Sequence, residues 1–363
     1  MVQLLASALF FVLGIGTLGA ALFGRLRRRR LILLALTLVF WLAAAVLFLT
    51  RPDLQPTTTP PPEPRATTAA TPTPVPTVAP RGRLVFASQR SGNFDIWLMD
   101  LADPKAMKPL TDDPANDVEP RWSPDGTRIL FSSTRGNTAG INDLWVMDAD
   151  GRHPRRLLDW PDSYEWGAAW SPDGRWIAFT STRDFDYEIY LMPVDGSAEP
   201  VNLTQNDKLD AYPDWSPDGR WVVFSSDREG NWDLWKLDAL ACLAARQEGQ
   251  NEDERCRAVR LTDHPDDDIY PRWSPDGSRI AFESRREANR DIYTMDAEGG
   301  NLVRVTDAFD RDSTPIWVDD GRSLVFAREI EFDVELFWIA ATGGEATRLT
   351  FSKGEDRFGD WKP

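Results

Sequence analysis

The chain is poor in histidine and cysteine, with two of each in 363 residues, and short of positive charge, with 41 Lys and Arg against 57 Asp and Glu. Two histidines give no basis for a histidine-built metal or acid–base centre. His153 and His264 fall in a turn and a connecting loop and read as surface residues. No Gly-x-Ser-x-Gly elbow occurs, so nucleophilic serine chemistry has no foothold. The shortage of positive charge is uneven. Residues 1–82 hold eight arginines and two carboxylates, so residues 83–363 carry 33 basic against 55 acidic side chains, a net charge of −22. With no basic face to neutralise phosphates, nucleic acid is excluded as a partner. Metal ions, cationic groups and basic proteins suit that field better.

What is present begins with two uncharged runs of twenty residues, 4–23 and 31–50, each long enough to cross a bilayer as a helix. Five arginines in the loop 25–30 between them belong on the cytoplasmic side, which places everything after residue 50 outside. A cleaved signal peptide is the rival reading of the first run, and it lacks the basic n-region. Residues 1–50 are therefore expected to be a two-helix anchor in the cell membrane, with the remainder periplasmic or extracellular. Residues 51–82 are dominated by Pro, Thr and Ala, a composition that favours a semi-rigid polyproline spacer over a packed core.

From Arg83 the sequence repeats. Trp-Ser-Pro-Asp-Gly stands at 122–126, 170–174, 215–219 and 273–277, a worn copy Trp-Val-Asp-Asp-Gly at 317–321, and a last tryptophan at Trp361. The six tryptophans, Trp122, Trp170, Trp215, Trp273, Trp317 and Trp361, are spaced 48, 45, 58, 44 and 44 residues apart. That period, with four short β-rich runs per unit, marks propeller blades. Proline presets φ in the turn and glycine takes its positive-φ position, so the motif is fold chemistry rather than an active site. Each tryptophan is expected to pack between neighbouring sheets. The segment 83–110 lacks a first strand and 358–361 is a first strand with nothing after it, so the two ends should complete one blade and close an all-β, six-bladed ring.

Repeats of the form Pro-x-Trp-Ser-Pro-Asp-Gly, then Phe-x-Ser-x-Arg, Asp-Ile-Tyr/Trp-x-Met-Asp and Arg-Leu-Thr resemble the TolB-type propeller over residues 83–363. The resemblance implies a protein-binding propeller outside the cytoplasm. The α/β domain that precedes the TolB propeller has no counterpart here, where the anchor and spacer stand in its place.

Five residues before the tryptophans stand Asp117, Glu165, Asp210, Asp268, Asp312 and Asp356, all acidic. At the start of channel-lining strands they are expected to ring one channel mouth. Such a ring would bind a cation such as Ca²⁺ or a basic element of a partner, or each carboxylate would cap its turn or pair with an arginine. Arg90, Arg135, Arg183, Arg228 and Arg286 follow the second-strand phenylalanines by four residues. They are expected to pair across the hairpin with Asp95, Asp143, Glu188, Asp233 and Asp291, the acids that open the next strand. Blade 6 has Ile330 at the arginine's position, opposite Glu335. Cys242 and Cys256 bracket the insert 239–257 and are expected to form a disulfide. The favoured reading is a non-catalytic scaffold in the cell envelope that binds a protein, a basic peptide or another ligand and needs no cofactor. A carbohydrate-active or hydrolytic enzyme using channel carboxylates, or a sensory ectodomain held by a cation, are the alternatives.

Overall fold

The computed structural model describes residues 79–136, 140–158, 160–250 and 253–363. The expected membrane helices and nearly all of the spacer lie outside the described residues. Among the described residues, no helix is long and apolar enough to cross a membrane.

Six four-stranded antiparallel sheets follow one another around a ring. Blade 1 joins the two ends of the fold, its strands being Asp356–Lys362, Arg83–Ser88, Asp95–Asp100 and Asp103–Pro109. Blade 2 comprises Asp117–Trp122, Arg128–Ser133, Asp143–Asp148 and Arg155–Arg156. Blade 3 comprises Glu165–Trp170, Trp176–Ser181, Glu188–Pro193 and Val201–Asn202. Blade 4 has Asp210–Trp215, Trp221–Ser226, Asp233–Asp238 and Val259–Arg260. Blade 5 has Asp268–Trp273, Arg279–Ser284, Asp291–Asp296 and Val303–Arg304, and blade 6 Asp312–Val318, Ser323–Ile330, Asp333–Ala340 and Thr347–Arg348. The seam pairs Arg83 with Lys362 and Ser88 with Asp356. Strand hydrogen bonds thus close the ring, leaving no sheet edge at the junction.

Alternation along each strand sends its apolar residues to the two faces of the blade, and the core accordingly lies between blades. Trp122 packs with Val85 and Ile96 of blade 1 and with Phe131 and Met147 of its own blade. Trp273 repeats this against Val223 and Leu234 of blade 4, and Trp317 against Ala281 and Ile292 of blade 5. Each interior tryptophan therefore wedges against the preceding sheet, burying the large indole area that holds neighbouring blades together.

The Ser-Pro-Asp-Gly turn is locked by its own side chains. In the first copy the Asp125 carboxylate accepts from Ser123 Oγ at 2.6 Å and Thr127 N at 3.0 Å, while Arg128 N donates to Ser123 Oγ at 2.9 Å. These bonds hold the Asp125 carboxyl down at about 2. Gly126 takes φ +69°, open to glycine and costly for a Cβ. The worn copy lacks Ser and Pro, and there Asp319 and Asp320 adopt positive φ themselves.

Two features extend the expected boundaries. Pro80 is buried, Trp361 Nε1 donates to Arg81 O at 2.7 Å, and Leu101 N donates to Gly82 O at 2.9 Å. The folded unit thus begins before Arg83, inside the segment assigned to the spacer. The blade 4 insert forms helix α1, Ala239–Gln247, capped by Asp238 accepting from Ala241 N. Cys242 and Cys256 form a disulfide that holds the insert, and Ala239 and Leu243 bury against the blade 3–blade 4 core.

Candidate functional site

The six acids five residues before the tryptophans are all at 0 % exposure. They do not form a bare ring open to a mouth, because most are closed off by arginine. Arg135 bonds Asp117 from Nε at 3.1 Å and also through Nη2. Arg228 Nη2 reaches Asp210 at 2.8 Å, Arg286 Nη2 reaches Asp268 at 2.7 Å, and Arg90 Nη2 reaches Asp356 at 2.7 Å. The expected hairpin pairing is corrected here: these arginines turn inward to the first strand, not outward to the acid that opens the third. Blade 6 shows the same physics with a shifted residue. Arg328 replaces the serine two residues after the strand phenylalanine, lies in register with Asp312, and bonds it from Nε at 2.7 Å and Nη2 at 2.8 Å. Ile330 therefore leaves no pair missing.

The third-strand acids have their own partners, supplied by the Arg-Leu-Thr segment. Arg156 reaches Asp143 at 2.7 Å, Arg260 reaches Asp233 at 2.6 Å, Arg304 reaches Asp291 at 2.7 Å, and Arg348 reaches Glu335 at 2.8 Å. The threonine bridges as well: Thr262 Oγ1 donates to Asp233 at 3.2 Å and accepts from Leu234 N at 2.9 Å. With the carboxylates committed in this way, the described residues contain no group of three or more His, Cys, Asp or Glu able to hold a metal ion. The Ca²⁺ expectation thus finds no ligand set among them.

Blade 3 departs from this pattern. Glu165 accepts from Ser163 Oγ at 2.6 Å and Ser181 Oγ at 3.0 Å, both on one oxygen, while the other oxygen has no hydrogen-bond partner among the described residues. Arg183, at the pairing position, instead lies over the Trp160 ring at 4.0 Å. The strand-four arginine is replaced by Asn202, so Glu188 is held by Thr204 Oγ1 and by Asn206 N at 2.7 Å. Burial with no cation bonded raises the Glu165 carboxyl to about 7 and that of Glu188 to about 8.

The channel is lined by positions without any shared sequence motif of their own. Three residues before each tryptophan stand Glu119, Gly167, Tyr212, Tyr270, Thr314 and Phe358, all at φ between +47° and +61°. Each sits at a β-bulge, where an extra residue re-aims the strand. Tyr212 and Tyr270, on the adjacent blades 4 and 5, meet in the channel with ring centroids 4.2 Å apart and hydroxyls 3.2 Å apart, leaving a cavity of about 30 Å³ beside them. That is room for about one water. One residue before the tryptophans, Arg121 and Arg272 flank Asp214 at 3.2 and 3.7 Å, and Trp273 N donates to the other Asp214 oxygen at 2.8 Å. Burial, opposed by Arg121, sets the Asp214 carboxyl at about 6. Trp122 N donates to Asp360 in the same manner. These carboxylates buttress neighbouring blades. The signal available in the sequence was the proline that follows the bulge at Pro120, Pro213, Pro271 and Pro315.

Six blades closed around a narrow central channel define the class, a β-propeller. A family model described as the TolB beta propeller domain matches residues 66–166, 163–263 and 252–363, and the chain belongs to that family. Among solved structures, TolB from Acinetobacter baumannii superposes with TM-score 0.66 at 20% identity, covering 77% of this chain and 66% of that one. The putative TolB from Agrobacterium tumefaciens gives 0.56 at 21%, covering 79% and 100%. A Mycobacterium tuberculosis puromycin-hydrolyzing peptidase gives 0.51 at 18%, covering 76% of this chain and 44% of its own. The chain thus spans just under two thirds of the Acinetobacter protein and under half of the peptidase. A search of the curated proteins finds no match.

Proposed function

We propose that this chain is a non-catalytic binding scaffold, tethered to a membrane by residues 4–23 and 31–50 and acting outside the cytoplasm, whose partner is a basic protein or peptide. The placement of exposed aromatic side chains carries this reading. Phe185 and Phe309 are 100% exposed, Phe332 99% and Phe351 74%, with Tyr164 and Tyr187 also exposed. All six lie in the hairpins between second and third strands or in the loops between blades, on the face opposite the Ser-Pro-Asp-Gly turns. They cluster around blades 3 and 6, which stand across the ring from one another. Acids sit beside them, Asp186 next to Phe185, Asp310 next to Phe309 and Glu331 next to Phe332. Exposed aromatics amid acidic loops suit a partner that brings apolar anchors within a basic surface.

The acid ring, in this reading, acts from beneath by holding the loops in place. The disulfide supports an oxidising compartment. An enzymatic reading would rest on Asp214 and Asp360, whose oxygens already accept from arginine or backbone N–H. Site-specific photo-crosslinking in cells tests the proposal. Probes at Phe185 and Phe332 are expected to give one discrete adduct with a basic protein, and probes at Leu240 and Leu302 on other surfaces to give none. Equal labelling from all four positions would remove the loop face as the binding site.

A further inference from the structure

The geometry points to a phosphate-binding groove between blades 2 and 3, on the rim away from the aromatic loops, that nothing in the scaffold reading requires. It is a cavity of about 490 Å³ whose walls include Arg128, Arg155, Arg175, Val194, Asp195 and Ser197. Its size is in the range of small-molecule sites.

Three positions share the lining of this groove, and each has an equivalent in other blades: the first residue of strand two, the strand-four residue paired to mid-strand three, and the residue after the turn glycine of the next blade. At the blade 2–3 junction these are Arg128, Arg155 and Arg175, with Arg155 in register with Val146. The blade 3–4 junction has Trp176, Val201 and Arg220, the blade 4–5 junction Trp221, Val259 and Ser278, and the blade 5–6 junction Arg279, Val303 and Arg322. Arg83, Lys108 and Thr127 hold the blade 1–2 junction. Of these five sets of equivalent residues, one is three arginines, and those three line one groove, within a domain of net charge −22.

Those cations keep donor nitrogens to spare. Arg128 lies over the Trp170 ring at 4.9 Å, and neither it nor Arg155 forms an ion pair among the described residues. Arg175 bonds Asp173 from Nε at 2.7 Å, which leaves its two terminal nitrogens. The opposing carboxylate in the wall, Asp195, is turned to its own turn by Ser197 N at 2.9 Å. Guanidinium forks match a phosphate bidentately, and a stack on tryptophan fixes the plane of one fork beforehand. The ligand is therefore a phosphate group, borne on a soluble ester or on a lipid headgroup. The uniform acidity of the composition conceals this patch because net charge averages over the surface.

The test holds the full-length chain in phosphatidylcholine bilayers by its N-terminal segment and titrates it at low salt with glycerol 3-phosphate and, separately, with phosphatidylglycerol vesicles, using ³¹P line broadening of each probe. Saturable binding is expected to weaken roughly tenfold or more in R155Q/R175Q, since charge-assisted forks are lost. R322Q, the matching position of the blade 5–6 junction, is expected to bind as the parent does. Glycerol 3-phosphate binding that the double variant loses supports a soluble ester, whereas vesicle binding alone, lost in the same variant, supports a lipid headgroup. No saturable binding of either probe, or equal binding by parent and double variant, would overturn the inference. A failed loop-face crosslink leaves it untouched, because the two sites share no residue.

Discussion

Blades 5 and 3 solve one problem in opposite ways. Both bury a carboxylate at the start of the first strand, Asp268 and Glu165, at 0 % exposure. Blade 5 closes Arg286 onto Asp268 at 2.7 Å, and although burial still raises that carboxyl, Ser284 and Arg286 pull it back. Blade 3 offers serines alone, and its neighbouring acid Glu188 has Asn202 where blade 5 has Arg304. Its acids rise to about 7 and about 8 and are held as protons permit. The repeated acid is thus a device of the fold, bonded by arginine in five blades and by serine hydroxyls in one. The same contrast makes blade 3, which carries Phe185 and Tyr187, one pH-sensitive part of the ring, beside Asp214 of blade 4 at about 6 and Glu283 of blade 5 at about 7.

The largest effect should come from breaking a buried pair. Arg286→Ala leaves Asp268 uncompensated and is expected to cost about 3–5 kcal/mol in denaturant unfolding. Arg183→Ala in blade 3, which removes only a contact over Trp160, is expected to cost about 1 kcal/mol or less.

Next comes pH. Glu165 and Glu188 are raised in the folded state from an ordinary value of 4.5, so the folded chain binds more protons than the unfolded chain between 4.5 and about 7 to 8. Their contribution is complete below 4.5 and is lost as pH rises through those folded values. Glu165→Gln with Glu188→Gln should therefore flatten the fall in stability between about pH 5 and 8.5 by roughly a few kcal/mol, since each proton held across one pH unit contributes about 1.4 kcal/mol. Glu283, raised by burial to about 7, keeps part of the slope in the double variant. A slope unchanged by both substitutions would remove blade 3 as its source.

Asn202→Arg sharpens the comparison by giving blade 3 the strand-four arginine of its neighbours. It is expected to lower the Glu188 carboxyl, so that the loss of stability with rising pH ends about one unit lower and is smaller in total, offset in part by the lost Asn202–Asp184 bond at 2.9 Å. The smallest effect on stability belongs to the loop face. Phe185→Ser and Phe332→Ser should change unfolding by less than about 0.5 kcal/mol while weakening partner capture.

Much of this architecture was written in the spacing of the tryptophans, because each sits at a fixed place in a unit that must stack to bury its core. The period gave the blade count, and the incomplete units at 83–110 and 358–361 gave the closure. The acid ring was legible as a periodic position but not as a buried one, since periodicity names the residue and not the direction its side chain takes. Phe-x-Ser-x-Arg leaves Arg135 free to reach either Asp117 or Asp143, and only the folded sheet decides for Asp117. The channel positions escaped because Glu119, Gly167, Tyr212, Tyr270, Thr314 and Phe358 share a backbone conformation and no chemistry. The exposed phenylalanines lie in loops where no period applies.

The most direct test of the clamp is denaturant unfolding of Asp268→Asn and Glu165→Gln side by side at about pH 8. If the ring is an internal clamp whose blade 3 member lacks a cation, Asp268→Asn strands Arg286 and loses about 2–3 kcal/mol, while Glu165→Gln is neutral or stabilising. Equal losses from the two, or no loss from Asp268→Asn, would contradict it.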